Sequence, residues 1–226
     1  MWFDESIVMT DEMESYLLGR GAKRETLEAM NLGEWQPTPE AIQRHPESKY
    51  LYGWLACPLR TPAGKIAGCD FRNIHHKDVR KIFFGTAAEW TSLWVAPPNS
   101  FPKIWEHQPV YLVEGIFDMF AVEWAVPSTA VVMACGRAGM TNQQMEALRR
   151  MQPSRVHMVF DMDVPGRKAS QFVSSRLRKI GLDVVEHSYS SKDPGEVWLK
   201  QGASGLVHLL GSREHVERMV DSTQCR

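Results

Sequence analysis

Two groups of carboxylates stand out because each directly follows a short apolar run. Glu114 and Asp118 lie in EGIFD, after the run VYLV. Asp161 and Asp163 lie in DMD, after the run VHMVF. Each run predicts a buried strand, and a helical pattern follows each group. Because the carboxyl ends of adjacent parallel strands line one crevice, we expect these acids to meet in space. Facing carboxylates repel unless a cation neutralises them, and Mg²⁺ prefers one or two carboxylates plus substrate phosphates. The pattern therefore predicts metal-assisted phosphoryl chemistry.

Each group also has a simpler interpretation. Glu114 and Asp118 would complement the positive N-terminus of the helix that follows them, and this alternative stays open. Asp161 and Asp163 would suit a turn or a helix N-cap, where Asp is common. Two acids immediately after a wholly apolar strand nevertheless favour a functional site over turn chemistry alone.

A third acidic element is the segment Lys192-Asp193-Pro194-Gly195-Glu196. It predicts a helix start, with Asp193 as N-cap, proline at the first helical position and Glu196 closing a capping box. That interpretation requires no catalysis. The segment also follows the last predicted strand, so it would present Asp193 to the same crevice.

Two further features concern phosphate binding. Gly136-Arg137-Ala138-Gly139 follows a predicted strand and is either a phosphate-binding turn or a flexible connection. The net charge of −1 does not indicate a nucleic-acid-binding protein, but the segment from residue 60 to 81 is locally basic. Such a stripe can follow a phosphate backbone, or it can be a solvated hairpin face. Its basic residues are Arg60, Lys65, Arg72, Lys77, Arg80 and Lys81.

The order of strand and helix patterns along the chain predicts the elements that position these residues. The first hundred residues mix short helical and strand patterns, whereas from Val110 strands and helices alternate, which favours a parallel sheet covered by helices. We predict an α/β protein: an α+β N-terminal subdomain (1–105), a domain with a parallel sheet flanked by helices (106–205) and a C-terminal helix or tail (206–226). Strands are expected at 54–60, 65–73, 81–84, 93–96, 110–113, 130–134, 156–160 and 184–187, and helices at 11–18, 24–30, 116–125, 141–151, 166–180 and 214–220.

Several classes of protein are disfavoured. No apolar stretch approaches the ~18 residues of a membrane span, and the acidic N-terminus does not look like a signal peptide. The four cysteines form no CxxC pair, which argues against a zinc ribbon and for reduced cysteines in the cytoplasm.

The segments EGIFD, ACGRAGMT, FDMDVPGRKA and KDPGE resemble, in order and spacing, the Toprim domain of DnaG-type primases from bacteria and phages. Upstream, SYLLGRGAKRETLEAMNLGEW and CPLRTPAGKIAGCDFRN resemble the opening helices and a hairpin of the primase core. The resemblance covers residues 15–202. It implies a DNA-directed RNA polymerase that makes short RNA primers on single-stranded DNA from ribonucleoside triphosphates with Mg²⁺ or Mn²⁺.

The resemblance also implies roles for particular residues. Where the family has a second Asp in the KDPGE segment, this chain has Gly195, which puts one metal site in question. The implied catalytic residues are Glu114, Asp118, Asp161 and Asp163; the implied metal ligands are Glu114, Asp161, Asp163 and Asp193; and the implied nucleic-acid or nucleotide contacts are Arg60, Arg72, Lys81 and Arg137.

The sequence shows no counterpart of the family's zinc-binding and helicase-binding domains. We therefore expect a separate zinc-binding primase subunit and a replicative helicase as partners, no membrane association, and a location in the cytoplasm, which would be that of the host if the protein is encoded by a phage or plasmid. Three alternatives stay open: a Toprim-type nuclease using the same acids, a phosphatase of the haloacid dehalogenase type with an Asp nucleophile, and a nucleic-acid-binding module without activity.

Overall fold

The computed structural model describes residues 4–76, 82–85, 93–136 and 139–210, with the backbone alone for residue 4 and for 82–85. The chain divides into two compact units, Met1–Pro98 and Asn99–Arg226. The predicted domain limits near residues 105 and 205 stay predictions. Within the described residues, no helix is both long and apolar enough to cross a membrane.

The first unit contains an antiparallel sheet whose five strands follow chain order. Trp35 and Phe71 meet edge-on in its core, with ring centroids 5.1 Å apart. The sheet and its helices confirm the predicted α+β character. The strands are β1 (Ile7–Val8), β2 (Gly33–Trp35), β3 (Leu55–Arg60), β4 (Ile66–Arg72) and β5 (Ile82–Gly85), and the helices are α1 (Asp11–Gly19), α2 (Arg24–Met30) and α3 (Pro39–Arg44).

The hairpin of β3 and β4 turns where the sequence predicts. The Thr61 N–H donates to the Lys65 carbonyl over 2.9 Å, and Gly64 has a φ of 76°, a backbone conformation that favours glycine. The predicted strand at 93–96 is wrong, because this segment has isolated bridge residues at Trp94 and Val95 rather than a strand, and Trp94 bridges to Arg60. Two prolines follow it and have no N–H to extend a ladder.

The second unit contains a four-stranded parallel sheet in the order β7-β6-β8-β9, which confirms the predicted parallel sheet flanked by helices. The side chains of β6 and β7 are buried throughout, as expected for strands covered on both faces. The strands are β6 (Val110–Val113), β7 (Val131–Ala134), β8 (Val156–Met158) and β9 (Val184–Glu186), and the helices are α4 (Ser100–Trp105), α5 (Ile116–Val122), α6 (Asn142–Met151), α7 (Val164–Lys179) and α8 (Pro194–Leu210).

Side-chain caps explain where two of these helices begin. Thr141 and Gln144 form the complete capping box at the start of α6. Asp163 caps α7 through the Gly166 N–H. Helix α8 has a kink at Gly202, and the helix predicted at 214–220 lies outside the described residues.

Candidate functional site

The two predicted acid groups leave the sheet from neighbouring strands. Leu112 of β6 and Met158 of β8 are partners in the parallel ladder, so the chain beyond each strand emerges at the same edge. There the Glu114 Oε1 accepts a hydrogen bond from the backbone N–H of Asp161 over 3.3 Å. Residues 47 positions apart are therefore joined at the carboxyl ends of the strands, as the strand pattern predicts.

Asp118 connects this edge to the last helix. It lies in the first turn of α5, and its Oδ1 accepts the Gly195 N–H in the first turn of α8 over 3.1 Å. The carboxylate therefore stabilises an N–H that has no partner within its own helix. Asp118 thus holds the start of α8 close to the start of α5.

Asp163 and Asp193 each cap a helix. Asp163 Oδ1 accepts the Gly166 N–H over 2.8 Å, and Asp193 Oδ1 accepts the Glu196 N–H over 2.7 Å. The N-cap predicted at Asp193 is confirmed. The predicted capping box differs in its second hydrogen bond, because Glu196 Oε2 accepts the Lys192 N–H rather than that of Asp193. Capping occupies one oxygen of each aspartate, so it does not exclude a second role for either residue.

Two long-range hydrogen bonds join the loops that carry the acids. The Met162 N–H donates to the Lys192 carbonyl over 2.6 Å, and the Tyr189 hydroxyl donates to the Phe160 carbonyl over 2.7 Å. The sequence analysis missed Tyr189, because a single tyrosine between a short strand and a helix cap carries no motif. Its position five residues after Val184, in the segment that leads to Asp193, was the only available signal.

The electrostatics show that the five acids share one environment. Burial raises the pKa of Asp161 to about 7, and the carboxylates of Asp118, Glu114, Asp193 and Asp163 add to the shift, in that order. Burial and four of these carboxylates also raise the pKa of the Tyr189 phenol, which therefore remains a hydrogen-bond donor. Asp161 Oδ1 is buried and accepts no hydrogen bond from the described residues.

Gly166 allows α7 to approach Asp161 closely. A Cβ on Gly166 would lie 2.3 Å from the Asp161 carbonyl oxygen and 2.8 Å from its carbonyl carbon. Backbone atoms cannot yield as a flexible side chain can, so only glycine fits this approach. The sequence analysis placed this glycine at a helix start but did not identify the packing reason.

The described residues include oxygen ligands suited to a hard cation, although they are not arranged as a ready site. No three His, Cys, Asp or Glu side chains among them form a ready metal-binding group. Asp118, Asp163 and Asp193 each direct an oxygen to a backbone N–H instead. The buried Asp161 oxygen without a partner, and the raised pKa of its carboxyl, are nevertheless what a cation would relieve. Mg²⁺ commonly takes few carboxylates and completes its shell with water and phosphates, so the donor set fits.

Two of the predicted basic contacts, Arg60 and Arg72, belong to the first unit and have partners within it. Arg60 is 7 % exposed, and its guanidinium donates to the carbonyls of Gly64 and Met30. Arg72 pairs with the fully buried Asp70 over 3.3 Å. Their roles stay predictions, and the predicted contacts Lys81 and Arg137 lie outside the described residues.

Comparison with protein families first identifies the class of domain that contains the acids. Residues 111–198 match the family described as Toprim-like, and this segment includes all five acids of the site. The chain therefore carries a Toprim-like domain, as the motif order predicts.

Solved structures extend the likeness to the whole chain. The zinc-binding and RNA polymerase domains of the Aquifex aeolicus primase superpose with a TM-score of 0.70 at 20 % identity, covering 96 % of this chain and 62 % of that one. The RNA polymerase domain of the Mycobacterium tuberculosis primase DnaG gives 0.69 at 20 % identity, covering 99 % and 84 %. The chain thus has the fold of a Toprim-containing primase core, which confirms the predicted fold.

A curated relative is an uncharacterised protein, MG010, of Mycoplasma genitalium. It is 25 % identical over 148 residues, which cover 65 % of this chain and 66 % of the relative. The matched regions thus span just under two thirds of that relative and 62 % of the Aquifex chain.

Proposed function

We propose that the chain is a DNA-directed RNA polymerase of the primase type. It would synthesise short RNA primers on single-stranded DNA by metal-dependent nucleotidyl transfer from ribonucleoside triphosphates. The observation that carries the proposal is the convergence of five carboxylates around Asp161 at the carboxyl edge of the parallel sheet. A DnaG primase catalytic domain of the same fold, 17 % identical with a TM-score of 0.64, was solved bound to single-stranded DNA, which supports the proposed template.

Glu114, Asp161, Asp163 and Asp193 would hold Mg²⁺ or Mn²⁺. When bound, such a cation neutralises triphosphate charge and stabilises the charge that develops on the leaving pyrophosphate. Glu114 and Asp161 are joined through a backbone N–H, so the two carboxylates are positioned together. The caps made by Asp163 and Asp193 fix their loops in the same way.

The chain's own residues would then act on the primer and the nucleotide. Glu114 is a candidate to accept the proton of the attacking 3′-hydroxyl, because it lies at the sheet edge and is partly exposed. Asp118 would be a positioning residue, since it holds the N-terminal turn of the helix that Asp193 caps. Arg60, Arg72, Lys81 and Arg137 remain proposed contacts to nucleic acid or nucleotide. A separate zinc-binding subunit and a replicative helicase remain proposed partners.

The experiment is primer extension on single-stranded DNA with labelled ribonucleotides and Mg²⁺ or Mn²⁺. We expect incorporation that EDTA abolishes and that Asp161→Asn lowers by about 100-fold or more, the order of effect of removing one charge-stabilising group elsewhere. The matched control is Asp183→Asn, which removes an exposed carboxylate paired with Arg155 outside the acid cluster. It should retain wild-type activity.

Three outcomes separate the candidates. Incorporation by Asp161→Asn at the wild-type rate would contradict the assigned site. Shortening of the oligonucleotide without incorporation would indicate a Toprim-type nuclease. Binding of the oligonucleotide with neither reaction would indicate a module without activity, for which Gly195 would offer a reason.

A further inference from the structure

Helix α7 has a charge pattern that the acid site does not use. Between Val164 and Lys179 it carries five Lys/Arg and no Asp or Glu. At about 100° per residue, four of its exposed residues lie within an arc of about 80° on one face. We call this face the α7 stripe; it consists of Lys168, Phe172, Arg176 and Lys179.

The cations of the α7 stripe face solvent, whereas the other two arginines of the helix are engaged. Arg167 donates to the Met162 carbonyl, and Arg178 pairs with Glu186 over 3.0 Å. In the part of the chain that the structure describes, no carboxylate lies within ion-pair distance of Lys168, Arg176 or Lys179. Their charge is therefore available to an external anion.

Phe172 lies among these cations with 55 % of its surface exposed. The Arg176 guanidinium lies 5.4 Å from the centroid of its ring. An exposed ring flanked by lysine and arginine is the combination with which proteins bind unpaired strands, where bases stack on the ring and phosphates meet the cations. A paired duplex hides its base faces and would use the cations alone.

The position of the stripe relates it to the acid site. Asp163, which caps α7, belongs to the site. At about 1.5 Å per residue, Lys168 lies about 7.5 Å and Lys179 about 24 Å along the helix from Asp163. The stripe therefore extends away from the acids along one rigid element.

We propose that the α7 stripe binds single-stranded nucleic acid, with phosphates on Lys168, Arg176 and Lys179 and a base stacked on Phe172. The proposal deepens the proposed function and rests on it for the identity of the strand, as template or product. Charge complementarity selects a polyanion, and the exposed ring selects an unpaired strand over an acidic protein surface.

The test is fluorescence anisotropy of a labelled oligo(dT) in EDTA, so that no turnover interferes, at several salt concentrations. The triple variant K168A/R176A/K179A should bind more weakly and lose about 2 from the log–log salt slope, at about 0.7 per lost phosphate contact. Phe172→Ala should weaken binding by about 5-fold or more with an unchanged slope, because stacking releases no counterions. The matched control is R149A/R150A, which removes two exposed arginines of α6 that pair with Glu146. It should bind like the wild type.

Several results would overturn the proposal. One is unchanged affinity and slope in both the triple variant and Phe172→Ala. Another is an equal loss from Phe172→Ala on a fully paired duplex, which would exclude base stacking. A third is binding of poly-glutamate with the same affinity and the same sensitivity to the variants. If wild-type protein incorporates no nucleotide but binds oligo(dT) through the stripe, the proposed function fails while the stripe is supported.

Discussion

Asp161 is held where its own charge is unfavourable. Its carboxyl is partly buried among four other carboxylates, which raises its pKa to about 7. Its backbone is constrained on both sides, by the hydrogen bond from its N–H to Glu114 and by the close approach of Gly166 to its carbonyl. A carboxylate whose charged form is destabilised, although its backbone is held firmly in place, is typical of a functional site.

Gly166→Ala tests this constraint. A methyl group would press on the Asp161 backbone, so we expect the free energy of unfolding to fall by about 1–3 kcal/mol, the usual cost of overpacking. Nucleotide incorporation should fall as well, because Asp161 is displaced. Denaturant unfolding and primer extension measure the two effects.

Gly19→Ala is the matched control. Gly19 also lies in a helix, but nothing lies within 4 Å of an added Cβ. Replacing a helical glycine by alanine normally stabilises, by up to about 1 kcal/mol. Opposite signs for the two substitutions are therefore expected, and a stabilising Gly166→Ala would contradict the close approach.

The acids were predictable from sequence, whereas the residues that hold them were not. Strand ends and acid spacing suffice to bring Glu114 and Asp161 together, because parallel strands end at one edge. Tyr189 and Gly166 act through contacts with the backbone of residues 160 and 161. Such contacts depend on how two loops approach each other, which no local pattern encodes.

At the level of elements, the start of α7 combines a helix cap with a site acid. Asp163 caps the helix through Gly166, and its carboxylate also contributes to the charge around Asp161. The interpretations of Asp163 as an N-cap and as a functional acid are therefore compatible. Substitution can separate them, because Asn caps as well as Asp but carries no charge.

We predict that Asp163→Asn loses most nucleotide incorporation and keeps its unfolding free energy. Asp163→Ala should lose the same activity and also about 1 kcal/mol of stability, because the cap is gone. Primer extension and urea unfolding of the two variants provide the comparison. If Asn destabilises as much as Ala, then the cap does not explain the geometry of Asp163.

Apart from the acid cluster, the rings of Tyr111, His157 and His187 form a row across the parallel sheet. Tyr111 of β6 stacks on His157 of β8 at 4.1 Å, and His157 Nδ1 lies 2.9 Å from His187 Nε2 beyond β9. Burial, then His187 and Arg155, lower the pKa of His157 to about 4, although Asp183 opposes the shift. Burial also lowers the pKa of His187. The environment of both rings therefore disfavours their charged form in the folded protein.

The lowered pKa of His157 predicts that the folded protein loses stability in acid. The unfolded His157 titrates near pH ~6.5, so between pH ~6.5 and about 4 the unfolded chain binds more protons than the folded one. The contribution of His157 to stability is complete above that window and is lost as the pH falls through it. His157→Phe keeps a stacked ring without a titrating group, so its unfolding free energy should decline less steeply than that of the wild type.

Urea unfolding at a series of pH values measures this difference. His76→Ala serves as the control, since it removes an exposed histidine from the other unit, and its pH profile should follow the wild type. Parallel profiles for His157→Phe and the wild type would contradict the burial of a neutral His157.

The element pattern shows what sequence can and cannot predict. Alternating strands and helices after Val110 predict the parallel sheet, because parallel neighbours must be joined by a long crossover, which is usually a helix. The order β7-β6-β8-β9 was not predictable, since four short apolar strands have nearly interchangeable patterns. The segment at 93–96 is apolar enough to predict a strand. It is buried, but it has no continuous ladder partner and therefore forms no strand.

At the scale of the whole molecule, charge is balanced overall and separated locally. The net charge is −1, although acids converge at the sheet edge and α7 carries only cations. Long-range attraction of the whole chain to nucleic acid is therefore weak, and binding must depend on local contacts. Under the proposed function, this makes the assembly of a start complex the demanding step.

We therefore predict that this chain by itself extends an annealed primer better than it starts one. Starting requires two nucleotides and a template to be held together without an existing duplex, whereas a primer presents its 3′-hydroxyl already oriented. Pre-orientation removes much of the translational and rotational entropy cost of the reaction. The measurement compares products with and without primer, at identical template, metal and nucleotide concentrations. Asp161→Asn should lower both reactions by about 100-fold or more, which ties both to the same site. Efficient unprimed synthesis, equal to extension, would show that the chain assembles the start complex through contacts of its own, and its first unit would then be the place to look for them.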